Sequence, residues 1–151
     1  MRYFLDTEFN GHGGALISLA LVPEYGDQEY YAVLDLPADV HPWVQRNVMP
    51  YLGSVPPGLK APPISRTQAA MEIAGYLGGD KDRVIVADWP EDIALFCMLL
   101  LTSPGDMAPV GSLDFQFVSS PGFSTAENSR VPHNALHDAR ALREFVLGWE
   151  R

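Results

Sequence analysis

The chain has 151 residues, 47% hydrophobic and 19% charged, which points to one domain, residues 1–151, able to bury a core without disulfides. A net charge of −9 and a single cysteine exclude an intrachain disulfide and a tight, non-specific binder of long polyanions. The longest apolar run, 93–101, is half a membrane span, and only three apolar residues separate Arg2 from Asp6, too few for a signal peptide; a cytoplasmic protein with no membrane partner is expected.

Residues 2–6, rich in aromatic and apolar side chains, predict a first strand. Gly11-His12-Gly13-Gly14 predicts a loop, and the apolar run 15–22 a second strand, buried on both faces. Gly26-Asp27 supplies hairpin chemistry before a third strand at 28–35. A short helix over 41–49 has Pro42 in its first turn and stops at Pro50. Two glycines and four prolines make 53–63 an extended loop. A helix from Ser65, its N-cap, runs to Leu77 and ends at Gly78-Gly79. Residues 84–87 predict a fourth strand and 91–101 a helix. Residues 102–131 are weakly patterned, with 113–118 reading as a strand or short helix. Leu136, Ala139, Leu142, Phe145, Val146 and Trp149 recur at spacings of three and four, which predicts a helix over 133–149. A three-strand meander followed by helix, strand and helix predicts a mixed α/β sheet covered by helices.

Three stretches carry chemistry. Asp6-Thr7-Glu8 follows the first strand, and alternation puts both carboxylates on one side. Two neighbouring carboxylates repel unless a cation lies between them, although Asp-x-Glu alone is usually a solvated strand end. Asp88 and Asp92 lie between a buried strand and an apolar helix, where Asp88 reads as an N-cap and Asp92 as a partner of the helix dipole. At the start of the last helix, His133 precedes Asp138 by five residues, and an irregular first turn would let both reach one site. His137 is four residues after His133 but about 100° around the helix from Asp138, so it reads as a surface or supporting residue. Phe9 and Trp89 read first as core aromatics, and Cys97, inside an apolar run, as a buried small hydrophobe.

Together these stretches resemble the DEDDh group of 3′–5′ exonucleases, with Asp6-x-Glu8 as the first motif and His133-x-Ala135-x-x-Asp138 as the third. More narrowly, Met1-Arg2-Tyr3-Phe4-x-Asp6-Thr7-Glu8-Phe9, Leu16-Ile17-Ser18, Glu29-Tyr30-Tyr31-Ala32-Val33, Trp43-Val44 and Val48-x-Pro50 resemble the small bacterial and phage 3′–5′ exoribonucleases typified by a mycobacterial member. The resemblance spans nearly the whole chain and is least clear at 102–130.

The resemblance implies an RNase-H-like fold and a two-metal hydrolysis of phosphodiester bonds. Asp6, Glu8, Asp92 and Asp138 would hold two Mg²⁺ or Mn²⁺ ions, and His133 would be the general base. Asp92 is preferred to Asp88 because Ile93, Leu95 and Phe96 anchor its helical turn to the core. Thr7, Phe9, His12 and Trp89 would contact the terminal nucleotide of single-stranded RNA or a short oligonucleotide, releasing nucleoside 5′-monophosphates. An RNase-H-type endonuclease with the same carboxylates is the first rival, and His133 speaks against it. A catalytically silent nucleic-acid-binding module on the same fold is the second. The oligomeric state stays open, a homodimer included.

Overall fold

The computed structural model describes residues 1–151. Its centre is a five-stranded mixed sheet. Strand β1 is Arg2–Phe9, β2 is Leu16–Pro23 and β3 is Tyr30–Val33; the three pair antiparallel as a meander. Strand β4, Val84–Ala87, pairs parallel with β1, and β7, Asp114–Phe117, pairs parallel with β4. This is the expected mixed α/β sheet, and it is consistent with an RNase-H-like arrangement. No helix is long and apolar enough to cross a membrane.

Helix α1 is Pro42–Asn47 and α2 is Arg66–Leu77. Helix α3 is Pro90–Leu100, α4 is Thr125–Asn128 and α5 is Ala135–Trp149. Alternation along β1 sorts them between two layers. Tyr3 and Leu5 face a core shared with α2 and α3, whereas Phe4 on the opposite face packs with Leu136, Ala139, Leu142 and Val146 of α5. Every residue of β2 is buried, as the unbroken apolar run predicts. Gly26 turns the β2–β3 connection at φ +88°, a conformation that costs glycine nothing. Ser65 caps α2, its hydroxyl accepting from the Gln68 amide at 3.1 Å.

Several expectations are corrected. The first strand does not stop at residue 6. It continues to Phe9 because β2 pairs with it as far as Leu16, so Asp6 and Glu8 lie within the strand. The helix over 41–49 ends at Asn47, capped at its start by the His41 ring, and Pro50 sits in a following 3₁₀ turn, Met49–Tyr51. The weakly patterned stretch holds an unexpected hairpin of β5, Leu101–Ser103, and β6, Asp106–Met107, and an unexpected α4; between them β7 takes the strand alternative read at 113–118. Cys97 is exposed, not buried, because α3 carries apolar side chains on its solvent face as well as its core face. Trp89 is also exposed and packs in no core. On α5, Trp149 is exposed and leans on Phe145, with ring centroids 4.8 Å apart.

Candidate metal centre

Strands β1 and β4 run parallel with Phe4 opposite Val86, so their carboxyl ends coincide. Two residues further on, that register brings Asp6 and Asp88 to the same end of the sheet. The crevice outside the carboxyl ends of such strands is where open α/β sheets place their ligands. Here it is a cleft of about 640 Å³ whose walls include Asp6, Glu8, Asp88, Asp92, His133 and Asp138. The three chemical stretches of the sequence therefore meet in one place. Thr7, Phe9 and Trp89 line the same cleft. His12 lies in an adjoining cavity that shares Glu8, Phe9 and Trp43 with it, and its ring contacts Glu91 at 2.5 Å.

Each side chain has a local cause for its position. Asp6 and Glu8 share the β1 face that α5 covers. Asn134 is the N-cap of α5, its side-chain oxygen accepting from the amides of Leu136 and His137 at 3.1 and 3.3 Å. The helix thus begins after His133, not at it. His133 has φ +65°, an uncommon left-handed conformation for a residue with a Cβ, though histidine enters it more readily than most. That reversal lets Asp138 accept from the His133 amide at 3.0 Å and brings both side chains to one site. The His133 ring stands edge-on to Trp43, with centroids 4.9 Å apart.

The second stretch is also settled in part. Asp88 caps nothing; the N-cap position of α3 is Trp89, and Asp88 accepts from the Ser120 hydroxyl at 3.0 Å. Asp92 is buried in the first turn of α3. Thr7, on the α3 side of β1, donates its hydroxyl to Asp92 at 2.5 Å, a bond that fixes the carboxylate. His137 turns away from the cleft, one ring nitrogen 2.8 Å from the Ser54 carbonyl. The lining residues missed by sequence reasoning are Trp43, Phe123, Ser124 and Thr125. Phe123 to Thr125 carry no charge and stand in an unpatterned stretch, so nothing local marked them.

The electrostatics are one-sided. Asp6 is held well above the usual carboxylate range, first by burial and then by Asp92, Glu8, Asp138 and Asp88. Glu8 is pushed up to about 8 by burial and by Asp138 and Asp92. Burial raises Asp92 to about 7 despite the Thr7 hydrogen bond. It raises Asp138 to about 6 against the pull of the His133 amide. Every charged neighbour that acts on Asp6 or Glu8 is another carboxylate. Burial moves His133 the other way, below the usual histidine value, which keeps its ring neutral near pH 7.

Such a group would be stabilised by a cation. One carboxylate oxygen of Asp6 and one of Asp138 are buried without a hydrogen-bond partner. Ligand atoms of Glu8, His133 and Asp138 lie within 4.8 Å of one another, close enough to hold a metal ion. Hard oxygen donors, unpartnered and mutually repelling, suit a divalent cation. A scan against protein-family models and a search of curated proteins found no match to this chain.

The two aspartates of the second stretch are separable by experiment. Asp92→Asn is expected to lower Mn²⁺ affinity sharply, and Asp88→Asn only slightly, since an amide oxygen can still accept from Ser120. Calorimetric titration of both variants with Mn²⁺ checks this, and the reverse order would make Asp88 the ligand.

Proposed function

We propose that this protein is a metal-dependent 3′–5′ exonuclease of the DEDDh kind, acting on single-stranded RNA or short oligonucleotides. One observation carries the reading: Asp6, Glu8, Asp92, His133 and Asp138, the residues of the motif resemblance, line a single cleft at the carboxyl ends of parallel strands. Their spacing in the chain does not demand that convergence. A five-stranded mixed sheet with helices on both faces supports the same reading.

Asp6, Glu8, Asp92 and Asp138 are the residues that would hold two Mg²⁺ or Mn²⁺ ions. Those ions, when bound, would supply positive charge to the scissile phosphate and acidify the attacking water. The protein's own groups do the rest. The neutral His133 ring accepts the proton that the water loses as its oxygen bonds to phosphorus. The bond from phosphorus to the 3′ oxygen of the penultimate nucleotide breaks, that oxygen takes up a proton, and a nucleoside 5′-monophosphate leaves. Trp43 braces the His133 ring edge-on, and Thr7 holds Asp92. Phe9 and the exposed Trp89 offer apolar surface to the terminal base.

The test uses RNA and DNA strands labelled at either end, incubated with Mg²⁺, Mn²⁺ or EDTA. Expected are mononucleotides from the 3′ end, full loss of activity in EDTA, and a weak dependence of substrate binding on salt. With a net charge of −9 the protein can neutralise few phosphates, and the salt slope scales with that number. Internal cuts in strands blocked at the 3′ end would make it an endonuclease. Tight binding without turnover in any metal would make it a silent binding module.

A further inference from the structure

The cleft holds one carboxylate that the proposed chemistry does not use. Asp6, Glu8, Asp92 and Asp138 are enough for two ions that keep several waters, and Asp88 is a fifth acid beside them. It follows directly on β4, half-buried, at the end of the sheet where Asp6 lies. Its charge acts on Asp6, Asp92 and Asp138, so it stands close to three of the four proposed ligands. The structure nevertheless gives it a different partner. Ser120, just after β7, donates its hydroxyl to the Asp88 Oδ2 atom at 3.0 Å. No other side chain is hydrogen-bonded to Asp88. A carboxylate has about four lone-pair sites, so acceptor capacity remains.

A nucleic-acid strand has few groups that suit such an acceptor. Its phosphate oxygens only accept, and their charge repels a carboxylate. Its donors are the ribose hydroxyls and the N–H groups of the bases. The terminal ribose is joined to the scissile phosphate through its 5′ oxygen and carbon, whereas the amino edge of the base lies beyond the glycosidic bond. Asp88 stands among the side chains that would hold the ions on that phosphate, so the ribose is the donor-bearing part within its reach. Trp89, the next residue, is 58% exposed in the same cleft and presents its ring to a base.

We propose, resting on the exonuclease reading, that Asp88 determines sugar specificity: held by Ser120, its carboxylate accepts from the 2′,3′-diol of the 3′-terminal ribose and so selects RNA over DNA. A vicinal diol presents two neighbouring donors to a group that can only accept. In the dinucleotide sites of open α/β sheets an acidic side chain likewise takes the ribose 2′-hydroxyl. That hydroxyl is the group by which a protein tells RNA from DNA at a given position. A hydrogen bond to an ionised carboxylate is about twice as strong as one between neutral groups, so its loss is measurable.

The experiment compares a short RNA strand with the same strand ending in a single 2′-deoxynucleotide, and reads kcat/KM for release of that last nucleotide in Mn²⁺. The wild type is expected to favour the ribose end by about ten- to a hundredfold, the usual range for a hydrogen bond to a charged group. In Asp88→Ala the preference should fall close to one, chiefly through a lower rate on the ribose end, with Mn²⁺ affinity little changed. Asp88→Asn keeps a neutral acceptor and should retain part of the preference. Ser120→Ala leaves every carboxylate in place and should lose part of it, so it decides the matter if Asp88→Ala fails to fold. Equal rates on the two ends in the wild type, or an undiminished preference in Asp88→Ala or in Ser120→Ala, would overturn the proposal. So would loss of Mn²⁺ binding in Asp88→Ala, which would make Asp88 a ligand. A preference that followed the amino group of the terminal base, cytidine against uridine, and ignored the sugar would overturn it too. Release of no mononucleotide from either strand in any metal is a separate result, which removes the exonuclease reading and the proposal with it.

Discussion

Replacing His133 with alanine is expected to lower kcat by about 10²–10⁴-fold, the usual effect of removing a general base. Metal affinity should change far less. The backbone constrains the choice of control. At φ +65°, residue 133 sits where asparagine and glycine are also tolerated, so His133→Asn keeps the chain path while removing the base. Both variants should therefore lose turnover alike, with His133→Asn the closer of the two to the wild type in melting temperature. Because burial lowers the His133 pKa, the acid limb of the wild-type rate profile attributable to this ring should fall below the usual histidine value. His137→Ala, by contrast, should keep activity and lose only the stabilisation of its bond to Ser54, about 1 kcal/mol. A His133→Ala protein that kept its turnover rate per bound metal but lost Mn²⁺ affinity would make His133 a ligand and not a base.

The metal-free protein should become less stable as pH rises from about 4 to 8, and a divalent cation should reverse the trend. The sign follows from the carboxyls of the cleft. Unfolded, they release their protons near pH 4. Folded, Asp138, Asp92 and Glu8 hold theirs until about 6, 7 and 8, and Asp6 is likewise raised. Between those limits the folded state binds more protons, so its stability is fully present below pH 4 and is lost as pH climbs through the folded values. Cation binding needs the ionised carboxylates, so it releases protons and tightens as pH rises. At a concentration one hundred times its Kd, the cation adds about 2.7 kcal/mol. For a chain of this length that raises Tm by roughly 5–11 °C. Thermal melts in EDTA and in Mn²⁺ at pH 5.5 and 8 check both halves. A Tm unmoved by Mn²⁺ at the higher pH would remove the metal centre.

What was legible in the sequence had local causes. The unbroken apolar run 15–22 encodes a strand buried on both faces, Ser65 encodes a cap, and the periodicity of 136–146 encodes the buried face of α5. The convergence of the candidate site was legible because buried carboxylates such as Glu8, Asp92 and Asp138 are rare in a core. What escaped is set by distant partners. Residues 113–118 read from sequence as either a strand or a short helix; all four residues of β7 are exposed, and β4 beside them, some thirty residues earlier, decides for the strand. The reach of β1 to Phe9 depends on β2 in the same way. Burial of Cys97 was inferred from an apolar neighbourhood, but a helix has two sides and the neighbourhood does not say which one is inside. The left-handed turn at His133 is imposed jointly by the Asn134 cap and the Asp138 carboxylate, neither of which is visible as a turn signal.

The cleft draws Asp6 and Glu8 from the first strand and His133 and Asp138 from the approach to the last helix. Synthesis is vectorial, at roughly 5–20 residues per second, so β1 leaves the ribosome several seconds before α5 exists. During that interval its two carboxylates have neither His133 nor Asp138 beside them. Whatever chemistry the finished cleft performs therefore waits until residues 133–138 have been made and have folded against β1.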